Sequence, residues 1–507
     1  MKQKPSSSQT LITKFALLII IMLILTLYFW GHNVGQSALN LANGFATVFR
    51  AALNSLTVAV LLTVAGGIGR RIFGRDRSSP YDLMLAETIA VEVGLGLGII
   101  SIATVLLGMM GVYNIILWIV LIAIGLLNLA KTFRWLIDFF SVIRRAFNVE
   151  TGWQRFIVTF ASGLLIAAFL IALAPPVAWD AMIYHLEGAH RYVQMGQITV
   201  QSDNFFLGFP QGVEVLYGLL IIPFQSDSAP ALLHFMFGLF GLMAIGGLTC
   251  RYSDANTAYT SILLLLSSFS IWLLFGWAYV DLAMLCYGAL TLITITQWGK
   301  EKSTRWLILS AVIAGFALGV KFTGASLIIA VAVFILIRQP KQVIRNGLIF
   351  GLSVFVAFLP WMIKGFWLYD NPVYPYIFGG LNWDTLRAAN FGSSGNGLLS
   401  GNLWWNLPIL PFAATIFGVD GVSPYSFTTG VWLLTLPFAL IVGWKALDDE
   451  SRSLASDLLP LALVMLVFWI FLAASSGIGA QPRLMMVGMP VAAILGAIGL
   501  HSIARLP

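Results

Sequence analysis

Charged side chains are scarce in this sequence of 507 residues, since Asp, Glu, Lys and Arg together make up only 10% of it. A soluble protein of this size would carry about a quarter charged residues. Hydrophobic residues make up 59%, and the mean hydropathy is +0.90. The apolar runs are long and continuous, without the alternation that membrane-spanning strands require. The sequence therefore predicts an all-α polytopic membrane protein.

Cysteine is almost absent, because Cys250 and Cys286 are the only two and both lie inside apolar runs. This predicts neither a disulfide framework nor a cysteine metal site. No clear small-residue cleavage site follows the apolar residues 15–30, so this run is predicted to be a retained signal anchor. The net charge of +7 comes from Lys and Arg that flank the apolar runs. It therefore predicts contact with membrane lipids and no nucleic-acid partner.

The apolar runs predict fourteen membrane spans, with bounds uncertain by about four residues. They lie at about 12–31, 52–69, 84–108, 112–133, 154–175, 229–250, 256–275, 278–298, 305–320, 322–337, 343–364, 428–446, 457–475 and 484–504. Basic clusters at 2–14, 70–77 and 131–155 recur after every second span and therefore share one side, which we assign to the cytoplasm. We predict a protein of the plasma (inner) membrane with both termini cytoplasmic and Asp180 on the outer face.

Residues 211–224 decide whether this orientation holds for the rest of the chain. Fourteen residues make about 21 Å of helix, which is too short for a hydrocarbon core of about 30 Å. We predict a half-inserted helix on the outer face. The alternative is a short true span, which would reverse the orientation of every later segment.

The span pattern predicts two regions. Residues 1–153 form a four-span N-terminal addition that ends in an amphipathic cytoplasmic segment at 134–153, which we expect to lie on the inner leaflet. Residues 154–507 form the membrane core, with long outer loops at 176–228 and 365–427. Loops of that length are usually functional or disordered.

The densest run of ionisable groups is Pro175–Tyr192, in the first of these loops. If the chain is helical from about residue 181, it forms an amphipathic surface helix. Its apolar stripe would be Met182, Leu186, Ala189 and Val193, and its polar face Asp180, Tyr184, Glu187 and Arg191. Asp180 could act as a base, bind a metal or simply cap this helix. Catalysis gains weight because Tyr184, His185, Glu187, His190, Asp203 and Glu214 share the loop, and such clusters are expensive to position at a membrane face. His185 and His190 lack the i, i+4 spacing of a paired metal site, so a divalent cation remains open only through carboxylates.

Three further ionisable residues are predicted on the same outer side. Asp281, near the start of a span, either faces a cavity or forms a packing ion pair. Lys321, between two short apolar runs, either binds a phosphate or pairs with Asp281. Arg483 either binds a phosphate or extends toward the interface. Together they describe a site that binds a lipid phosphate and activates a nucleophile.

These residues together resemble the GT-C superfamily of integral-membrane glycosyltransferases, in particular bacterial aminoarabinose and protein-mannosyl transferases. The segments that carry the resemblance are Trp179-Asp-Ala-Met-Ile-Tyr-His185, Gly196-Gln-Ile, Phe209-Pro-Gln-Gly-Val-Glu214, Tyr279-Val-Asp281, Gly319-Val-Lys321, Asp370-Asn-Pro-Val-Tyr-Pro375 and Gln481-Pro-Arg483. The resemblance covers roughly residues 154–504. It departs from the family's pattern in the four preceding spans and in having Asp-Ala where an Asp-Glu pair is usual, so only Asp180 transfers as an acidic catalytic residue.

The resemblance implies transfer of a sugar from a polyprenyl-phosphate carrier to a hydroxyl group on a lipid, glycan or protein acceptor, with inversion. Asp180 would be the general base. Lys321 and Arg483 would bind the lipid phosphate. Tyr184, His185, Glu187, Glu214 and Asp281 would bind substrate or hold the two cations. No metal ligand is implied.

Two other functions remain open. A secondary transporter would also contain broken spans and intramembrane charges, although the charges here cluster at one face. A polymerase or ligase that uses diphosphate-linked glycans would also have long outer loops. Membrane-potential-driven uptake would indicate the first, and a preference for diphosphate-linked donors the second.

Overall fold

The computed structural model describes residues 24, 41–74, 83–392, 409–412, 415, 429–475 and 481–506. Apart from residue 24, the predicted span at 12–31 lies outside these residues, as does most of the second half of the predicted loop 365–427. Residues 58–507 form one compact unit, and of residues 1–57 the structure describes mainly the beginning of the first helix below.

The described residues are almost entirely helical. The α-helices are α1 Leu41–Phe73, α2 Leu85–Met109, α3 Ile115–Leu127, α4 Leu129–Ala146, α5 Gly152–Leu173, α6 Leu186–Met195, α7 Glu214–Ile221, α8 Ser228–Tyr252, α9 Ala255–Leu266, α10 Phe269–Leu274, α11 Asp281–Glu301, α12 Thr304–Val320, α13 Ala325–Arg338, α14 Val343–Tyr369, α15 Thr385–Gly392, α16 Val431–Thr435, α17 Ala439–Gly443, α18 Asp449–Ser475 and α19 Met489–Ala504. Shorter turns of 3₁₀-helix precede or join several of them, notably Phe205–Gly208, Phe322–Gly324 and Pro482–Gly488.

Eight of the helical segments in the described residues are long and apolar enough to cross a membrane, and a bent pair, α3 with α4, makes up to nine. Shorter apolar helices lie at Ala255–Leu266, Thr304–Val320, Phe322–Arg338 and Val431–Ala446, where spans were predicted. The all-α membrane class is therefore confirmed, whereas the count of fourteen spans is not. The predicted span at 256–275 is interrupted after Leu266, and the other three are helices of at most 17 residues. Lys321 separates two of them, as predicted.

The centre of the bundle is α11, which is almost wholly buried. It packs against α8, α12 and the turn Pro482–Gly488. The turn approaches closely because Gly288 has no side chain: a Cβ there would lie 2.3 Å from the Val487 carbonyl oxygen. This contact brings the residues around Arg483 to the end of α11 at which Asp281 lies.

The predicted half-inserted helix at 211–224 is the eight-residue helix α7, and all of its residues are buried. Eight residues rise about 12 Å, less than half of a hydrocarbon core. This length is too short for a span and agrees with the prediction that the segment does not cross.

The predicted amphipathic segment at 134–153 is α4, which begins earlier and ends at Ala146. It lies at 86° to α3, because the chain turns at Asn128 rather than continuing as one straight span to residue 133. Its buried face carries Thr132, Trp135 and Val142. Arg70 pairs with Glu92 and with Asp138 of α4, both at 2.9 Å, and so holds α4 against the helices.

The predicted division at residue 153 stays a prediction. Described side chains on its two sides nevertheless share buried polar contacts, such as the ion pair between Glu87 of α2 and Arg251 of α8 at 2.9 Å. The helices at 85–146 therefore pack in the same compact unit as the charged residues that follow residue 153.

The orientation also stays a prediction, and Asp203 offers a direct test, because its side chain is 63% exposed. In a background without Cys250 and Cys286, we expect Asp203→Cys to react with a membrane-impermeant thiol reagent on intact cells. Glu450→Cys, at an exposed position of the opposite predicted side, should react only after permeabilisation. The reverse pattern would overturn the predicted orientation.

Candidate functional site

The segment after Asp180 is helical but does not begin as an α-helix. Ala181–His185 is a π-helical turn, and α6 follows directly. A π turn is wider by one residue per hydrogen bond and occurs often at functional sites. It shifts the buried face to Ala181 and His185 and leaves Met182 exposed. The predicted apolar stripe is therefore wrong at Met182, because it assumed an α-helical period throughout.

Asp180 is buried and bonded to Tyr184 and Arg483. Its Oδ2 atom accepts a hydrogen bond from the Tyr184 hydroxyl at 2.8 Å and one from the Arg483 guanidinium. Its backbone amide donates to the Tyr279 hydroxyl at 3.3 Å. Burial raises the pKa of the Asp180 carboxyl, but attraction to Arg483, His185 and Lys321 outweighs burial and lowers that pKa below its ordinary value. Asp180 is therefore ionised at neutral pH.

Asp281 and Lys321 form a second ion pair, with Nζ 3.1 Å from Oδ1. The Asp281 side chain is 1% exposed, and among the described residues its Oδ2 atom has no hydrogen-bond partner. Phe322–Gly324 packs against Pro482–Gly488, so the two ion pairs are neighbours. The structure thus brings Asp180, Arg483, Asp281 and Lys321 together, with Lys321 paired to Asp281 as one of the two alternatives anticipated.

His185 and Glu214 form a buried pair beside Asp180. The Nδ1 atom of His185 lies 2.8 Å from Oε1 of Glu214. Within the described part of the chain, Nε2 of His185 and Oε2 of Glu214 have no partner. The His185 ring also packs on the rings of Tyr184 (4.1 Å between centroids) and Tyr279 (5.6 Å).

Glu187 lies apart from this cluster. Its carboxylate accepts a hydrogen bond from Arg191 at 2.7 Å, and its side chain is 41% exposed. Arg191 also binds Asp203, at 2.7 Å. These three residues form an exposed chain of charges, so Glu187 does not meet Asp180 in this structure.

Several site residues escaped the analysis of the sequence. Phe206 stacks on the Tyr184 ring at 4.7 Å, and the Arg483 guanidinium lies over the Tyr279 ring at 5.4 Å. Lys364 is buried and donates to the backbone carbonyls of Leu207 (2.6 Å) and Phe209 (2.9 Å), which holds the Phe205–Gly208 turn in place. A lysine within an apolar run was the available signal for Lys364. For Phe206 there was none, because phenylalanine is common throughout this chain.

A metal site receives no geometric support from the described residues. Among them, no three His, Cys, Asp or Glu side chains are grouped so that they could hold an ion. The carboxylates of Asp180 and Asp281 face cations instead.

The fold and the site define an integral membrane protein whose ionised side chains meet where several helices begin or end. The chain belongs to the family described as "Domain of unknown function (DUF8201)", whose model matches residues 49–385. An uncharacterized protein of Shigella flexneri is 28% identical over 184 residues, which cover 35% of this chain and 86% of that protein.

Among solved structures, the chain is similar to ArnT from Cupriavidus metallidurans bound to undecaprenyl phosphate, with 17% identity and a TM-score of 0.46 over 71% of this chain. It is similar to the apo state of the same protein with 16% identity and a TM-score of 0.45 over 70% of this chain. It spans about three fifths of the ArnT length, 61% and 60% respectively.

Proposed function

We propose that this protein is a glycosyltransferase that moves a sugar from a polyprenyl-phosphate carrier to a hydroxyl acceptor on the extracytoplasmic face of the plasma membrane. Asp180 is the general base, and the reaction inverts the anomeric configuration. Arg483 and Lys321 bind the phosphate of the carrier. The acceptor is a lipid, a glycan or a protein.

The observation that carries the proposal is the contact between Asp180 and Arg483, with Lys321 close by. An ionised carboxylate can take a proton from an attacking hydroxyl, and a buried guanidinium stabilises a phosphate by charge-assisted hydrogen bonds. Transfer of a sugar from a phosphate needs both functions a few ångströms apart.

During the reaction, the group that attracts the Arg483 guanidinium most strongly changes from the Asp180 carboxylate to the phosphate. The acceptor oxygen forms a bond to the anomeric carbon and gives its proton to Asp180. The bond between that carbon and the phosphate oxygen breaks, and its electron pair stays on the phosphate. Asp180 thereby loses its negative charge while the phosphate gains one, so Arg483 interacts more strongly with the phosphate as the transition state forms. Interactions that strengthen in this way are the ones that accelerate a reaction.

An apolar cavity of about 370 Å³ supports a lipid-linked donor. Leu484, Met485 and Val487, which follow Arg483 in the chain, line it together with residues of α16, α18 and α19. An isoprenoid chain has the chemistry to fill such a space, with its phosphate at Arg483. Binding sites for apolar ligands commonly combine such a lining with a few polar groups at one end.

The remaining predicted residues have supporting roles in this proposal. Tyr184 and His185 shape the acceptor side, and Glu214 orients His185 through the bond at 2.8 Å. Asp281 holds Lys321 until a phosphate competes for it. Glu187 contacts the sugar or the acceptor only if its exposed side chain leaves Arg191.

The test compares two variants at the second ion pair. We expect Lys321→Met combined with Asp281→Asn, which removes both charges and leaves no buried carboxylate unpaired, to raise the donor KM by about tenfold or more through loss of a charge-assisted hydrogen bond. Asp281→Asn alone keeps Lys321 available and should leave the donor KM within about threefold of the wild type. The measurement is sugar transfer by purified protein at varied donor concentrations. An equal donor KM in the two variants would contradict the phosphate role of Lys321.

The donor class is decided in the same assay. Monophosphate-linked sugar donors should be used, and diphosphate-linked oligosaccharides should not. Turnover with the diphosphate donors alone would replace this proposal by a glycan polymerase or ligase. Uptake driven by a membrane potential in proteoliposomes, without transfer, would replace it by a transporter.

A further inference from the structure

The short helix α7 ends inside the protein, although its length would place it within one leaflet. Carbonyl groups in the last turn of any helix have no amide partner in that helix. In a membrane protein, such groups must be bonded by other parts of the protein, because hydrocarbon offers no donor. The residues that bond the carbonyls of α7 therefore determine where this helix lies.

Three carbonyls in α7 or just before it accept hydrogen bonds from buried side chains of α2, α3 and the turn between them. The bonds run from Ser101 Oγ to the Gly212 carbonyl (2.6 Å), from Tyr113 Oη to the Val215 carbonyl (2.8 Å) and from Trp118 Nε1 to the Leu219 carbonyl (2.7 Å). Gly212 lies just before α7, whereas Val215 and Leu219 are spaced i, i+4 and so share one face of this helix. The donors all belong to the four-span region that precedes residue 153.

Tyr113 approaches α7 closely because Gly218 faces it. A Cβ at residue 218 would lie 2.1 Å from the Tyr113 hydroxyl oxygen. The backbone amide of Tyr113 donates to the Gly196 carbonyl at 2.9 Å, directly after α6. Tyr113 therefore ties α7 and the end of α6 to the same point.

Two contacts connect α7 and the residues just before it to the charged site. Its first residue, Glu214, holds His185 at 2.8 Å at the end of the π-helical turn that follows Asp180. In the segment just before α7, the Gly212 amide donates to the Gly319 carbonyl at 2.8 Å, two residues before Lys321. A shift of α7 would therefore disturb both the Asp180 turn and the Lys321 segment.

We propose that α2 and α3 brace the site, with Ser101, Tyr113 and Trp118 as positioning residues that hold α7. Loss of one of their donors removes a hydrogen bond that holds α7, or the residues just before it, against α2 and α3, and lets α7 move away from His185 and Gly319. The hydrogen-bonding role stands without the proposed function, whereas its effect on turnover rests on it.

The test is amide hydrogen exchange in the full-length protein, followed by mass spectrometry. We expect Tyr113→Phe to speed exchange about tenfold in residues 211–221 and in residues 181–195, since losing a partner for one buried group favours local opening. The matched control is Tyr259→Phe, which removes a hydroxyl that donates to the Ala146 carbonyl at 2.9 Å and should leave both segments unchanged. Unchanged exchange in both segments, or faster exchange confined to 211–221, would overturn the proposal.

Trp118→Phe provides a second variant if Tyr113→Phe does not fold. Its control is Trp272→Phe, since the Trp272 indole donates to the Leu164 carbonyl at 2.8 Å, away from α7. Trp118→Phe should reproduce the exchange pattern, and Trp272→Phe should not.

Activity supplies a readout that a merely structural role would not change. Tyr113→Phe should lower kcat about tenfold with a donor KM within about twofold of the wild type. The effect should be less than additive with Glu214→Gln, because both changes act through the same contact. Full additivity would contradict the route through Glu214. If the wild type transfers no sugar, the proposed function fails, and hydrogen exchange still decides whether the brace exists.

Discussion

Replacing Asp180 with Asn is expected to lower kcat by about 10²–10⁴-fold, because an amide cannot take the proton of the attacking hydroxyl. The amide has the same shape, and its oxygen can still accept from Tyr184 and Arg483. The protein should still assemble, with lower stability because the buried Arg483 charge loses its carboxylate partner. The donor should bind at least as well, since Arg483 loses a competing carboxylate. The measurement is single-turnover transfer of a labelled sugar, with donor binding measured in parallel.

The matched control is Asp203→Asn, in the same outer loop. Asp203 is exposed and binds Arg191 rather than a site residue, so turnover should stay within about twofold of the wild type. Because the pKa of Asp180 lies below its ordinary value of about 3.9, this carboxylate should cause no loss of activity between pH 8 and about pH 5. Retained turnover in Asp180→Asn would remove the general-base assignment.

Replacing Arg483 with Met is expected to affect both stability and transfer. The Asp180 and Arg483 side chains are 9% and 10% exposed, and removing one partner of such a buried pair costs about 3–5 kcal/mol. Transfer should fall by at least about 10²-fold, because the leaving phosphate loses its main hydrogen-bond donor. Thermal unfolding and donor-dependent turnover measure the two effects.

Two further variants separate these effects. Asp180→Asn combined with Arg483→Met leaves no unpaired charge at the pair and should recover most of the lost stability but none of the transfer. Arg483→Lys keeps the charge and loses the planar fork, so it should retain more stability than Arg483→Met and only part of the activity. Unchanged donor KM and kcat in Arg483→Met would be incompatible with a phosphate-binding role.

Much of the fold could be read from hydropathy. Long apolar runs must be helical in lipid, because every backbone group needs an internal partner there. The predicted positions therefore coincide with helices from α1 to α19, and the short run at 211–224 was recognised as too short to cross. The break at Lys321 was predicted, whereas the bend at Asn128 was not, since a helix ends where side chains and neighbouring helices bond its last carbonyls.

The residues that form the charged cluster could also be predicted from the sequence, but the contact between Asp180 and Arg483 could not. Ionisable residues are rare enough here that Asp180, Asp281, Lys321 and Arg483 stood out. The Asp180–Arg483 contact joins residues 303 positions apart, and no local pattern encodes such a distance. The π-helical turn at 181–185 could not be predicted either, and it is the reason why Met182 does not share a face with Leu186.

The amino-acid composition alone determined that this chain is a helical membrane protein. In lipid, backbone amides and carbonyls must bond one another, and continuous apolar runs can do so only as helices. The order of its apolar runs and basic clusters further predicted which charged residues share a face. Only tertiary packing decided that Glu187 pairs with Arg191, that Lys364 holds the Phe205–Gly208 turn and that side chains of α2 and α3 bond carbonyls of α7 and of the residues before it. These outcomes depend on which helix surfaces pack against each other across the bundle. Such packing requires close contacts, for example between Gly218 and Tyr113, which cannot be predicted from the identity of either residue alone.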